Sequence, residues 1–204
     1  MDPTLYVILD RAAARGRSLE EILDGTIAGG CRTVQLREKE WPSGRLLPLA
    51  ARLRARCHEA GTTFIVNDRV DLALALEADG VHLGQDDLPA PVARPLLRRG
   101  MILGVSTHSV EQARAAAAAG ADYVAVGSMF PTATKPDFQL VGPALIRAVR
   151  GEIRVPLIGI GGVTADGVAV ISAVCGAADP LLATRRLCEA IRTARDLTGS
   201  GRPL

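Results

Sequence analysis

Apolar residues come in short runs of four to six, each closed by glycine or polar residues, and between the runs apolar positions recur at helical spacing. The runs fall at residues 5–9, 33–37, 63–67, 80–83, 101–106, 123–127, 155–160 and 167–172. They read as strands, because a strand buried on both faces is a short continuous apolar segment. Helical patterns occupy 19–28, 46–60, 70–77, 91–98, 110–119 and 143–149. Eight strands alternating with helices predict an α/β chain forming a single (β/α)8 TIM barrel over residues 1–204.

An internal repeat supports the barrel and exposes an irregularity in it. Ala78-Asp79-Gly80-Val81, Ala121-Asp122-Tyr123-Val124 and Ala165-Asp166-Gly167-Val168 all enter a strand by the same Ala-Asp step. A helical segment precedes the first two copies, but only Val163, Thr164 and Ala165 separate Asp166 from Gly162, so the crossover helix between strands seven and eight is missing. Parallel neighbours need a crossover of about a dozen residues. Four residues reach roughly 14 Å, short of a return along a strand of about 17 to 20 Å. Either 167–172 is not an ordinary parallel neighbour of 155–160, or the sequence omits residues of the natural chain. Leaving out a barrel helix uncovers apolar surface worth roughly 25 cal/mol per Å², so an omitted segment is favoured over a true deletion unless a partner covers the gap.

Composition narrows the class. Apolar residues make up 48% and aromatics only 3%, which suits Ala-rich helices laid on buried aliphatic strands. The length supports one well-buried core. With 24 basic and 22 acidic residues the net charge is +2, too small to imply a nucleic-acid or membrane-surface partner, so any anion binding must be local. Cys31, Cys57, Cys175 and Cys188 lack metal-like spacing and are expected to be reduced thiols in a reducing compartment. Asp2 stands where a basic leader would begin, and no run reaches the length of a membrane span, so a cytoplasmic protein is expected.

The candidate chemistry lies at strand exits, which share one rim in a parallel barrel. In Gln35-Leu36-Arg37-Glu38-Lys39, strand alternation puts Gln35, Arg37 and Lys39 on one face, an amide with two cations suited to a diphosphate. Asp68 and the pair Asp86-Asp87 end neighbouring strands. Asp68 and Asp87 are the expected ligands of Mg2+, which takes one or two carboxylates along with water and substrate oxygens. Taken singly, Asn67-Asp68 also makes a turn and Gln85-Asp86-Asp87 an N-cap. Pro131-Thr132-Ala133-Thr134-Lys135-Pro136 lies in a long loop after strand six that could close over a phosphorylated substrate. Gly161-Gly162, with Ile171-Ser172, marks the place where many barrels cradle a phosphate. His58 is expected on a helix surface, His82 inside a strand and His108 near the rim, with no zinc-like spacing among them.

Taken in order, the motifs Gln35-Leu36-Arg37-Glu38-Lys39, Val66-Asn67-Asp68-Arg69, Asp79-Gly80-Val81-His82-Leu83-Gly84-Gln85-Asp86-Asp87, Gly104-Val105-Ser106, Pro131-Thr132-Ala133-Thr134-Lys135 and Ile160-Gly161-Gly162 resemble those of the thiamine-phosphate synthase family. The resemblance runs from about Leu5 to the C-terminal helix. It implies a transferase that joins an aminopyrimidine diphosphate to thiazole phosphate with release of pyrophosphate. In that scheme Gln35, Arg37, Lys39 and Asn67 bind the diphosphate substrate, Asp68 and Asp87 hold Mg2+, and Ser106 lines the same site. Thr132 and Thr134 contact the thiazole phosphate, Lys135 sits near the diphosphate, and Gly162, Ile171 and Ser172 form the phosphate cradle. Arg37, Lys39 and Lys135 are the expected catalytic cations, and a homodimer is a further expectation. Two other readings are a thiazole tautomerase-like relative, with His108 as its acid-base candidate, and a catalytically silent phosphate-binding barrel.

Overall fold

A computed structural model describes residues 1–127, 142–160 and 167–197. Eight parallel strands close into a barrel in sequence order: β1 (Leu5–Asp10), β2 (Thr33–Arg37), β3 (Thr63–Asn67), β4 (Gly80–Leu83), β5 (Ile102–Thr107), β6 (Tyr123–Val126), β7 (Leu157–Ile160) and β8 (Gly167–Val170). Around it lie α1 (Leu19–Ala28), α2 (Ser43–Glu59), α3 (Val70–Leu76), α4 (Ala90–Ala93), α5 (Val110–Ala118), α6 (Gly142–Glu152), α7 (Ser172–Cys175) and α8 (Pro180–Leu197). The predicted barrel is therefore the fold. Among the described residues no helix is long and apolar enough to cross a membrane, and Cys31, Cys57, Cys175 and Cys188 are all free.

Alternation along the strands sorts side chains into two layers. Leu5, Val7, Leu9, Val34, Leu36, Phe64, Val66, Val81, Leu83, Leu103 and Val105 point outward into a large apolar cluster shared with the helices. Tyr6, Ile8, Ile65, Tyr123, Ile158 and Ala169, all from strands, form a smaller cluster inside the barrel. Ser18 caps α1 by accepting the Glu21 N–H at 3.1 Å, and Ser109 caps α5 by accepting that of Gln112 at 3.2 Å. The last helix closes the ring against the first: Gly29, just beyond α1, lies so near α8 that a Cβ there would stand 2.6 Å from the Thr184 Cβ.

The Ala-Asp repeat fastens the N-terminal face. Asp79, just before β4, accepts the Phe64 N–H of β3 at 2.7 Å through Oδ2, and Asp122, before β6, accepts the Leu103 N–H of β5 at the same distance. The repeat thus ties β4 to β3 and β6 to β5; the third copy, at Asp166, lies outside the described residues.

Of the two readings offered for strands seven and eight, the register removes the first. β8 is an ordinary parallel neighbour of β7, with Ile158, Gly159 and Ile160 opposite Gly167, Val168 and Ala169. Pro156 cannot donate to the ladder, so β7 starts only at Leu157 and has four residues. From Ile160 the chain returns by two residues and steps one strand across, a displacement of about 8 Å. Residues 161–166 can span about 20 Å. The eighth strand also ends earlier than expected, at Val170, and Ser172 begins α7.

Candidate functional site

The exits of β2, β3 and β4 bring the expected diphosphate and metal residues to one rim. Arg37, the last residue of β2, is opposite Asp10 at the end of β1, and the two form an ion pair. The Asp10 carboxylate is buried and also accepts the Ala13 N–H at 3.1 Å, so the guanidinium is anchored from the neighbouring strand. Two residues on, the Lys39 Nζ lies 2.9 Å from the Asp68 Oδ2. Asp68 has a left-handed backbone, φ 62°, and its N–H donates to the His82 carbonyl at 2.8 Å. That turn is what directs the carboxylate toward β4, and Asp tolerates the conformation better than most residues.

Asp87 completes the cluster. Its Oδ2 accepts the Gly84 N–H at 2.7 Å. Burial pushes its carboxyl above the ordinary aspartate range, the Asp68 carboxyl within hydrogen-bonding reach raises it further, and the Gly84 N–H and Lys39 pull against both. Two carboxylates crowded together beside one ammonium have the donor chemistry of a Mg2+ site, oxygen ligands only. Among the described residues no group of three or more His, Cys, Asp and Glu is placed to share a metal ion.

Gln35 and Ser106 point into the barrel below this rim. Gln35 donates through Nε2 to the Tyr6 hydroxyl at 2.7 Å. The Ser106 Oγ is 2.8 Å from the His82 Nε2, and the Gln85 side chain donates to the Ser106 carbonyl at 2.6 Å. Asn67 ends β3 opposite His82. Ile171 packs on the inner apolar cluster, and Ser172 is exposed beside it. The structure therefore brings Gln35, Arg37, Lys39, Asn67, Asp68, Asp87 and Ser106 to one end of the barrel. Thr132, Thr134, Lys135 and Gly162 lie outside the described residues. His58 is exposed on α2, as expected, and the His108 ring is tied to the Gly127 carbonyl through Nδ1.

Three residues of consequence escape sequence reasoning: Asp10, Tyr6 and Tyr123. The legible signal was that the chain has two tyrosines and that both fall within strands. A separate cavity of about 500 Å³ lies beside the rim, lined by Arg11, Arg17, Trp41, Arg45, Leu49 and Arg52 among others, and by none of the expected site residues. Its guanidiniums are largely engaged: Arg11 pairs with Glu38 at 2.6 Å, Arg52 with Glu20 at 2.7 Å, and Arg45 lies over the Trp41 ring at 3.9 Å.

The same strand-end geometry can be set beside known proteins. The family model described as thiamine monophosphate synthase matches residues 5–178. A thiamine-phosphate synthase of Moorella thermoacetica is 48% identical over 203 aligned positions, covering 94% of this chain and 97% of that one. A thiamine-phosphate synthase of Roseiflexus castenholzii is 46% identical over 200 positions, covering 91% and 86%. Among solved structures, a thiamine phosphate pyrophosphorylase from Pyrococcus furiosus superposes with a TM-score of 0.85 at 34% identity, covering 94% and 96%. With a family model matched over residues 5–178, the span that holds the motifs at the rim, the chain belongs to the thiamine monophosphate synthase family.

Proposed function

We propose that the chain joins an aminopyrimidine diphosphate to a thiazole phosphate, releasing pyrophosphate and forming thiamine phosphate, with Mg2+ held by Asp68 and Asp87. The observation that carries this reading is the meeting of Lys39, Asp68, Asp87 and the anchored Arg37 at adjacent strand exits. Arg37 and Lys39 bind the diphosphate oxygens, Asn67 adds an amide, and Gln35 and Ser106 hold the pyrimidine. Lys135 joins the diphosphate, while Thr132, Thr134, Gly162, Ile171 and Ser172 receive the thiazole phosphate.

The reaction breaks the bond between the pyrimidine methylene carbon and the diphosphate oxygen, and forms one from that carbon to the thiazole nitrogen. The nitrogen attacks with a free lone pair, so no proton has to be removed and no general base is required. The barrier lies in the departure of an anion, which makes electrostatic stabilisation the main demand on the protein. Arg37 meets it at low reorganisation cost because Asp10 already fixes the guanidinium. Asp68 and Asp87 would hold Mg2+, which would supply positive charge against the departing pyrophosphate.

A pyrophosphate-release assay tests the reading. Release is expected only with both substrates and Mg2+, and Asp68→Asn or Asp87→Asn should lower kcat/KM by about 100-fold or more. No pyrophosphate from the complete mixture overturns the proposal. Activity on the thiazole that survives EDTA and Asp68→Asn favours the tautomerase-like reading instead.

A further inference from the structure

Inside the barrel, one hydrogen-bonded chain joins the two residues assigned to the pyrimidine. Gln35 on β2 donates to the Tyr6 hydroxyl on β1 at 2.7 Å, and Tyr6 meets the Tyr123 hydroxyl on β6 at 2.9 Å. Tyr123 reaches the His82 Nδ1 on β4 at 2.8 Å, and the His82 Nε2 reaches the Ser106 Oγ on β5 at 2.8 Å. β1 and β6 are not neighbours in the sheet, so the link between the tyrosines spans the barrel interior. The barrel makes room for it at Gly104, where a Cβ would stand 2.0 Å from the Tyr123 Cζ. The His82 ring is stacked on that of Tyr123 at 5.5 Å, and the two phenol rings meet edge to face at 5.9 Å. Burial raises both phenols far above their ordinary range, so each keeps its single proton.

We propose that Tyr6, Tyr123 and His82 are positioning residues that lock Gln35 and Ser106 into opposite hydrogen-bonding senses, so that the site selects a ring that offers a donor to one and an acceptor to the other. Proton bookkeeping gives the reason. An amide NH2 only donates, and each hydroxyl has one proton. Tyr6 accepts from Gln35 and therefore gives its proton to Tyr123. Tyr123 in turn gives its own to the His82 Nδ1. With Nδ1 accepting, the ring proton lies on Nε2 and is donated to Ser106, whose hydroxyl proton is left for the ligand. At the other end the Gln35 carbonyl oxygen is left to accept. Reversing the amide reverses every link at once, so the two ends remain opposite. An aminopyrimidine, with exocyclic N–H groups and ring nitrogens, carries both kinds of partner. This inference rests on the assignment of Gln35 and Ser106 to the pyrimidine made above.

Calorimetry with the full chain and Mg2+ provides the test, using the aminopyrimidine diphosphate and, as a probe of the diphosphate half alone, inorganic pyrophosphate. Tyr123→Phe keeps the ring and removes the link. It is expected to raise Kd for the aminopyrimidine diphosphate about tenfold and leave that for pyrophosphate within about twofold. Because Ser106→Ala removes the end that the chain orients, Tyr123→Phe should add less than about threefold in that background. Equal weakening of both ligands, no weakening of either, or full multiplication of the two substitutions overturns the relay. Tyr6→Phe cuts the chain one link away and must reproduce the pattern if Tyr123→Phe fails to fold. If the wild type binds pyrophosphate but not the aminopyrimidine diphosphate, the functional assignment falls. The relay is then judged by 15N resonances of His82: a single tautomer in the wild type and a mixture in Tyr123→Phe sustain it, and the same mixture in both overturns it.

Discussion

Outside the sheet, Val34, Leu36, Val81 and Leu83 meet an apolar layer shared with the helices; inside it, the residues between them, Gln35 and His82, meet two phenol hydroxyls. The same strands thus present a nondirectional surface on one side and a directional one on the other. Aliphatic packing accepts exchange of one hydrophobe for another of like volume. A buried hydrogen-bonded chain does not, since removing one member leaves a desolvated donor or acceptor at each side. Stability should therefore be concentrated in the outer layer and ligand discrimination in the inner one.

Substitutions can force the two layers apart. The largest effect is expected at Phe64, fully buried in the outer layer: Phe64→Ala should cost about 3–5 kcal/mol in urea unfolding, while folded protein keeps its affinity for the aminopyrimidine diphosphate. Loss of affinity at that position would break the division. Gly104→Ala attacks the inner layer by forcing Tyr123 aside. It should cost about 1–3 kcal/mol and also weaken aminopyrimidine diphosphate binding, a pairing of effects that Phe64→Ala must not show. Asp79→Ala releases the Phe64 N–H on the face remote from the rim, and about 1 kcal/mol of stability should disappear with no change in binding.

The smallest effect is a pH dependence. Burial pushes the Glu38 carboxyl up, but hydrogen bonds from Arg11 and from the Glu40 and Trp41 N–H groups outweigh it, and the group lies below the ordinary glutamate range. Its folded value is below its unfolded one, so it contributes stability above the unfolded value, about 4.3, and loses that contribution as the pH falls through the folded value. Urea midpoints measured from pH 7 down to pH 3 should fall less for Glu38→Gln than for the wild type.

The strands were legible because both of their faces are buried, which turns them into unbroken apolar runs; 33–37, 63–67 and 80–83 agree to the residue. Where a run overshot, a local reason is visible, Pro156 before β7 and the turn at Ile171 after β8. α7 has four residues, too few for a helical period to show. At the site, Arg37, Lys39, Asp68 and Asp87 were readable since a charge at a strand exit stands out against its run. The Tyr6 to Tyr123 bond was not, because it joins residues 117 apart on strands that never pair, and no local pattern encodes such a meeting. Asp10 escaped for a similar reason: its partner Arg37 is supplied by the next strand.

Asp79 and Asp122 also determine where such a chain can be cut and rejoined. Each carboxylate closes one strand-helix-strand unit upon itself, β3 with β4 and β5 with β6. New chain ends opened at the exposed residues 99–100, between the units, leave both closures intact. Ends opened within a unit separate a carboxylate from the amide it serves. A circular permutant or a half-barrel fragment cut by this rule carries its own fastenings with it, and the units themselves are the natural pieces for recombining barrels of this kind.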